Sequence, residues 1–238
     1  ARREADGLGQ TDAAPASEAP TGRRYDRVVA ISRSGTTTEV VRFLEACPDP
    51  SGALVAVEDT PVAARATRVV ALPFADERSV VQTRFATSSL ALLRALLGHD
   101  LGPTIADAER ALTDPLPVDP SAFDHFVFLG RGWTIGLAHE AALKIRETSA
   151  SFSESYPAME YRHGPISLAG SRSLVWVLGD PDGDLLEDVR KTDATVLSSD
   201  LDPMAELVRI QRVAVALAEA KGLDPDRPRN LTRSVVLT

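Results

Sequence analysis

A single cysteine, Cys47, stands among 238 residues, so no intrachain disulfide is available to staple the fold. The four histidines and that cysteine show no metal-ligand spacing, and neither a structural zinc site nor any other metal site is expected. No apolar run approaches the length of a membrane span, and no basic-then-apolar leader opens the chain, so cytoplasmic residence is the default expectation. Positive charge is also scarce. With 26 Lys and Arg against 34 Asp and Glu, the net charge is −8, which argues against nucleic acid or an anionic membrane as the main partner. A small anion is not excluded, because a local nest of donors outweighs a distant net charge.

What the chain does have is enough apolar material, 44% of its residues, for a core that needs no staple. Residues 1–24 are small and polar and read as a loop or a frayed end. Behind them, short β-branched runs at 27–31, 53–57 and 67–72 alternate with helical segments at 40–44 and 88–97. Strands alternating with helices imply crossovers and parallel sheets, hence an α/β protein. The segment 113–121, TDPLPVDPS, carries three prolines in nine residues and reads as a linker between residues 1–112 and 122–238. After it the pattern restarts. Tyr25–Ile31 is echoed by Phe123–Leu129, each an aromatic–Asp pair before a strand, a Gly-containing turn and a helix, and this reads as an internal duplication that matches Ile31 to Leu129. Strands are expected at 174–178 and 194–197, and a long amphipathic helix at 204–221 closed by Gly222.

Between the first strand and its helix lies Ser32-Arg33-Ser34-Gly35-Thr36-Thr37-Thr38-Glu39. Helix starts present free N–H groups and a partial positive charge, and five hydroxyls add further donors for an anion. The loop lacks both the Gly-Lys-Ser/Thr ending and the G-x-G-x-x-G spacing of nucleotide loops, so a sugar phosphate fits it better. Thr36 and Glu39 have capping-box spacing, which is expected to fold Glu39 back onto the helix cap.

In the second half, residues 134–148 form a helix by period, with Glu140, Lys144 and Glu147 on one side. Those three residues alone read as a solvated face with two ion pairs. Residues 151–168 are too polar for a core strand and too irregular for a surface helix; they end in Arg162-His163-Gly164-Pro165. His163 reads either as a turn residue or as a proton shuttle near neutral pH.

The run AISRSGTTTEVV resembles the phosphate loop, S-x-S-G-x-T, of the sugar isomerase (SIS) domain family. The resemblance implies two tandem SIS subdomains, each a parallel sheet flanked by helices. It also implies that Ser32, Ser34 and Thr37 bind a sugar phosphate. Arg33 stands where the family's glucosamine-6-phosphate synthases have glutamine, and it is carried as a further phosphate-binding residue. The stretch 129–168 resembles the second SIS half of the same enzymes. By that match Glu147, in A-L-K-x-R-E, is the base moving a proton between C1 and C2. Lys144 is the lysine of the motif, and His163 assists ring opening from a neighbouring subunit of a homodimer. Residues 226–235 resemble the family's D-x-P-R-N-L-x-K-S-V tail, with Arg233 in place of its lysine; Arg233 and Gln82 are carried as sugar-binding candidates.

Two departures follow from the comparison of motifs. The family's first subdomain opens with a strand, a Gly-Thr-Ser turn and a helix that have no counterpart here, so that subdomain is expected to be incomplete at its start. Nothing resembles a glutaminase domain either, so synthesis using ammonia from glutamine is not expected. The implied activity is aldose–ketose isomerisation or amino-sugar deamination on a hexose 6-phosphate, without a cofactor. The alternative is a phosphosugar sensor in which catalysis is lost.

Overall fold

The computed structural model describes residues 1–20, 22–180 and 183–237. The chain divides into two units. One comprises Leu8–His99 with Arg229–Thr238, and the other Ala1–Gly7 with Asp100–Pro228. A short helix α1 (Arg2–Ala5) precedes the first of them in sequence.

The first unit runs β1 (Val28–Ser32), α2 (Thr38–Ala46), β2 (Ser51–Val55), α3 (Pro61–Arg65), β3 (Arg68–Ala71) and α4 (Arg84–Leu96). Its three strands lie in the order β1-β2-β3, all parallel. Side chains alternate across a strand, and both faces of β2 are covered. Ala53 and Val55 pack with Ala30, Leu44 and Val62. Leu54 packs with Leu72, Ala75 and Phe85. Thr60 caps α3 by accepting the Ala63 N–H, and Pro61 opens that helix where its missing N–H costs nothing. Asp49, buried beside β2, accepts the Tyr25 N–H at 2.8 Å and Arg24 Nε–H at 2.6 Å, which fastens the entry to β1.

The second unit contains α5 (Gly102–Thr113), β4 (His125–Gly130), α6 (Thr134–Ser149), β5 (Phe152–Pro157), β6 (Ser173–Leu178), α7 (Gly183–Arg190), β7 (Thr195–Leu197) and α8 (Pro203–Ala220). Its sheet is again wholly parallel, ordered β5-β4-β6-β7. Val127, Leu129, Val175 and Val177 form one face with Leu185, Val189 and Tyr161. On β4 and β6, Phe128 and Trp176 are register partners with stacked rings. Trp176 Nε1–H donates to the buried Glu206 on α8 at 2.6 Å, and Ser199 Oγ–H donates to the other carboxylate oxygen at 2.6 Å. A buried carboxylate is tolerated only with such partners.

The expected α/β architecture of two parallel-sheet units is present, and the strands and helices read from the sequence lie within a few residues of those observed. Four readings need correction. Residues 102–113 form α5, which packs on α8 and so sits in the second unit. Thr104 Oγ1 donates to Asp202, and Arg212 donates to the Ala111 and Asp114 carbonyls. The change of unit therefore falls between His99 and Asp100, and 113–121 is a connector inside the second unit rather than a linker. Residues 229–238 group with the first unit, not the second. Within 151–168, Phe152–Pro157 is a strand after all. As an edge strand it is fixed by backbone pairing to β4 alone, and burial places little demand on its composition. The proposed match of Ile31 to Leu129 fails at the level of topology, because β1 lies at the edge of its sheet and β4 in the interior of the other.

The Tyr25 N–H, and after it Arg24, hold the Asp49 carboxyl below its usual range. A carboxylate whose pKa is lowered by folding adds stability above its unfolded pKa of about 3.9 and loses it as pH falls through the lower folded value. Asp49→Asn is therefore expected to lower the melting temperature at pH 7. The gap from the parent should hold down to about pH 5 and close below about pH 4, as thermal melts across that range will show.

Candidate functional site

The loop after β1 is shaped by Gly35. Its φ of 65° lies in the left-handed region, and a Cβ there would come within 2.1 Å of Thr60 Oγ1. The Gly35 N–H donates to Ser32 Oγ at 3.2 Å, and the Thr36 N–H to Ser34 Oγ at 3.3 Å. These bonds curl residues 32–36 so that their hydroxyls converge at the start of α2. Thr37 is the N-cap but makes no side-chain capping bond, so the expected capping box is not formed. Glu39 stays in the first turn of α2, with Oε2 buried and without a hydrogen-bond partner among the described residues.

Ser32, Ser34 and Thr37 line one cavity of about 430 Å³ together with Gln82 and Arg233. The expected phosphate and sugar contacts of this unit are thus brought together. The far wall is apolar, built from Ile31, Val40, Phe85, Leu90 and Leu93. Arg33 lines the same cavity. Its side chain is only 2% exposed, and its guanidinium donates to the carbonyls of Ser79 (2.7 Å), Val80 (3.2 Å) and Arg233 (3.1 Å). A fork of fixed donors suits this task, since it joins three backbone segments at one point. Arg33 thus fastens the loop's surroundings while lining the cavity. Arg233 pairs with Asp76 and donates to the Glu77 carbonyl at 2.8 Å.

Sequence reasoning did not single out Glu77. Its carboxylate accepts the backbone N–H groups of Thr83, Arg84 and Phe85 and the hydroxyl of Thr83, all at 2.9–3.2 Å. A carboxylate at a helix start matches the orphan N–H groups and the dipole. Here it fixes the turn that carries Gln82. Its separation of six or more residues from these partners is longer than a capping box, so no local pattern marks it.

In the second unit α6 carries the acid–base candidates. Lys144 is buried at 3% exposure, with Nζ 2.6 Å from Glu147 Oε2 and 3.3 Å from Glu140 Oε1. This is not the solvated face that the residues alone implied. A buried ammonium requires opposite charge at contact distance, and two half-buried carboxylates supply it. The cluster carries a net −1, so one carboxylate retains charge that Lys144 does not neutralise. His163 ends a 3-10 turn (Glu160–His163) and is exposed. Among the described residues it makes no hydrogen bond or ion pair to Lys144 or Glu147. Just before it, Tyr161 sits in the core, and burial, followed by the charge of Glu154, pushes its phenol up to about 12.

The Gly35 geometry sets a test of the loop. Gly35→Ala forces a left-handed alanine and a clash with Thr60, and is expected to cost more than about 2 kcal/mol of stability. Denaturant unfolding followed by circular dichroism checks this. A variant as stable as the parent would mean that the loop does not need this conformation.

No family model matches the chain. It is 27% identical to the glutamine–fructose-6-phosphate aminotransferase (isomerizing) of Sulfurisphaera tokodaii, over 90% of this chain and 43% of that one. It is 28% identical to the enzyme of the same name from Methanothermobacter thermautotrophicus, over 91% of this chain and 45% of that one. The chain thus spans somewhat less than half the length of these curated relatives. Among solved structures, a glucosamine-6-phosphate deaminase from Thermotoga maritima aligns with a TM-score of 0.81 at 26% identity, over 94% of this chain and 81% of that one. A tagatose-6-phosphate ketose/aldose isomerase from Escherichia coli aligns at a TM-score of 0.75 and 18% identity, over 93% of this chain and 75% of that one, a likeness of fold alone. The hydroxyl loop, the parallel sheets and these relatives together bear out the resemblance to the sugar isomerase (SIS) domain family, whose fold the chain has.

Proposed function

We propose that the chain binds a hexose 6-phosphate and moves a proton between C1 and C2, as an aldose–ketose isomerase or an amino-sugar-phosphate deaminase. The observation that carries this reading is the convergence of the Ser32, Ser34 and Thr37 hydroxyls on one cavity at the start of α2. The curated relatives are named for fructose 6-phosphate, and the Thermotoga maritima structure for glucosamine 6-phosphate. Both are hexose 6-phosphates.

In this reading the first unit anchors the phosphate. Each charge-assisted hydrogen bond contributes about 1.5–3 kcal/mol. Glu147 takes the proton next to the carbonyl and returns it one carbon away, a step worth about 10²–10⁴ in rate. Lys144, at 2.6 Å, pairs with Glu147 and meets the oxygen on which negative charge develops. His163 serves ring opening, and by resemblance it does so across a homodimer. The isomerase route moves only protons; the deaminase route also adds water to the C2 imine that the proton transfer forms and releases ammonia, and neither needs a cofactor.

Deuterium exchange from solvent into fructose 6-phosphate and glucosamine 6-phosphate tests the reading. Glu147→Gln keeps the side chain's shape and removes the base. It should lower exchange by at least about 100-fold and leave phosphate affinity within about twofold. Ser34→Ala should weaken binding by about tenfold. Exchange in Glu147→Gln at the parent rate would remove that residue from the mechanism. Binding by the parent without exchange would make the chain a phosphosugar-binding protein instead.

A further inference from the structure

One face of α4 builds much of the apolar wall of the cavity beside the hydroxyl loop. Phe85, Ala86, Ser89, Leu90 and Leu93 recur at three- and four-residue spacing, and all of them line it. Ser89 is the one polar side chain in that face. It is 3% exposed, and its Oγ has no hydrogen-bond partner among the described residues.

A hydroxyl inside a helix can return its proton to the carbonyl four residues back. Thr87 does so in α4 at 2.9 Å, and Ser149 does so in α6 at 2.7 Å. Ser89 makes no such bond. A buried hydroxyl left unpaired is costly, and alanine is also the better helix former. Neither packing nor helix propensity therefore accounts for a serine here. Pockets for small molecules are mostly apolar, with a few placed polar groups that fix the ligand's orientation, and Ser89 stands in the wall as such a group. The loop at the start of α2 already supplies donors for a phosphate. A neutral hydroxyl that can donate or accept is matched instead by a hydroxyl of the sugar.

We propose that Ser89 is a binding and specificity residue for the sugar. Its Oγ pairs with one hydroxyl on the carbon chain of a sugar phosphate seated on the loop, and it selects against sugars that lack that hydroxyl. The proposal rests on the reading of the loop as a phosphate site. Ser89 gives up no partner when the ligand arrives, so on the protein's side nothing offsets the new bond. The apolar residues around it cover the sugar's C–H groups and keep water from competing.

Calorimetric titrations and thermal melts of the parent, Ser89→Ala, Ser88→Ala and Ser34→Ala test this. The ligands are inorganic phosphate, fructose 6-phosphate, glucosamine 6-phosphate and monodeoxy analogues of both sugars. Ser88, the neighbouring serine on α4, is not among the cavity's lining residues and controls for helix propensity. Ser89→Ala should bind phosphate within about twofold of the parent and a sugar phosphate about tenfold more weakly. That loss should vanish for the monodeoxy analogue that lacks the matched hydroxyl. Without ligand, Ser89→Ala should melt above the parent by at least as much as Ser88→Ala does, since no bond is lost. Unchanged sugar affinity in Ser89→Ala would overturn the assignment. So would a loss shared equally by phosphate or by every monodeoxy analogue, a melting temperature below the parent's, or a parent that binds phosphate but neither sugar. Those failures leave the loop reading standing, provided Ser34→Ala loses affinity for phosphate. Phosphate binding absent from the parent, or untouched in Ser34→Ala, would instead remove the loop reading, and the role of Ser89 with it.

Discussion

A parallel pair of strands cannot be closed by a hairpin, so the chain must leave the carboxyl end of one strand, cross a face of the sheet and re-enter at the amino end of the next. Every pairing in both sheets of this protein is parallel. The crossings therefore cover the faces with helices. They also gather the strand-to-helix turns at the carboxyl edge, where helix starts point and ligands of open α/β sheets bind. Ser32–Thr37 is such a turn after β1, and Arg131–Trp133 is another after β4. The hydroxyl loop lies where it does because of this constraint, and its residues only decide what it can hold.

Buried charge is the second organising feature. Arg33, Lys144 and Glu206 are each almost fully buried, and each is matched differently. Arg33 is met by three backbone carbonyls from two segments, Lys144 by two carboxylates, and Glu206 by an indole, a hydroxyl and, more distantly, Arg209. Carbonyls compensate a guanidinium without cancelling its charge, which suits a fastening point. A carboxylate at 2.6 Å cancels an ammonium but can also exchange roles with a substrate oxygen, which suits chemistry. An excess of acidic residues over the whole chain is compatible with the proposed anion seat for a related reason. The seat is built from neutral donors and a helix start, and these act at contact distance, whereas surface charges beyond about 10 Å are screened.

Much of the fold is legible in the sequence because its signals are local. β-branched runs, a capping threonine before a proline at α3 and a glycine after α8 each act within one turn of chain. The hydroxyl loop is legible for the same reason, since its donors are consecutive residues. The acid–base candidates are one helical turn apart, and so is their contact. What escaped was long-range or carried by the backbone. β5 is a strand because β4 offers it hydrogen bonds, and its own side chains alternate too weakly to say so. α5 reads as a continuation of the first half until α8 is seen packed against it. The echo of Tyr25–Ile31 in Phe123–Leu129 records two apolar strands with similar local propensity, yet β4 is buried while Val29 and Ile31 of β1 are exposed, and local propensity does not encode strand order.

By itself the sequence determined the α/β class, the strand-to-helix turn rich in hydroxyls, the glycine that lets it curl, and the Lys144–Glu147 pair. All of these depend on neighbours in the chain. Tertiary structure alone decided that Arg33 donates to the Ser79, Val80 and Arg233 carbonyls, that Glu77 caps α4, and that Ser234 reaches a loop nearly 200 residues away. Those outcomes turn on which donors and acceptors are left unmatched once the chain has packed, and no pattern confined to neighbouring residues contains that information.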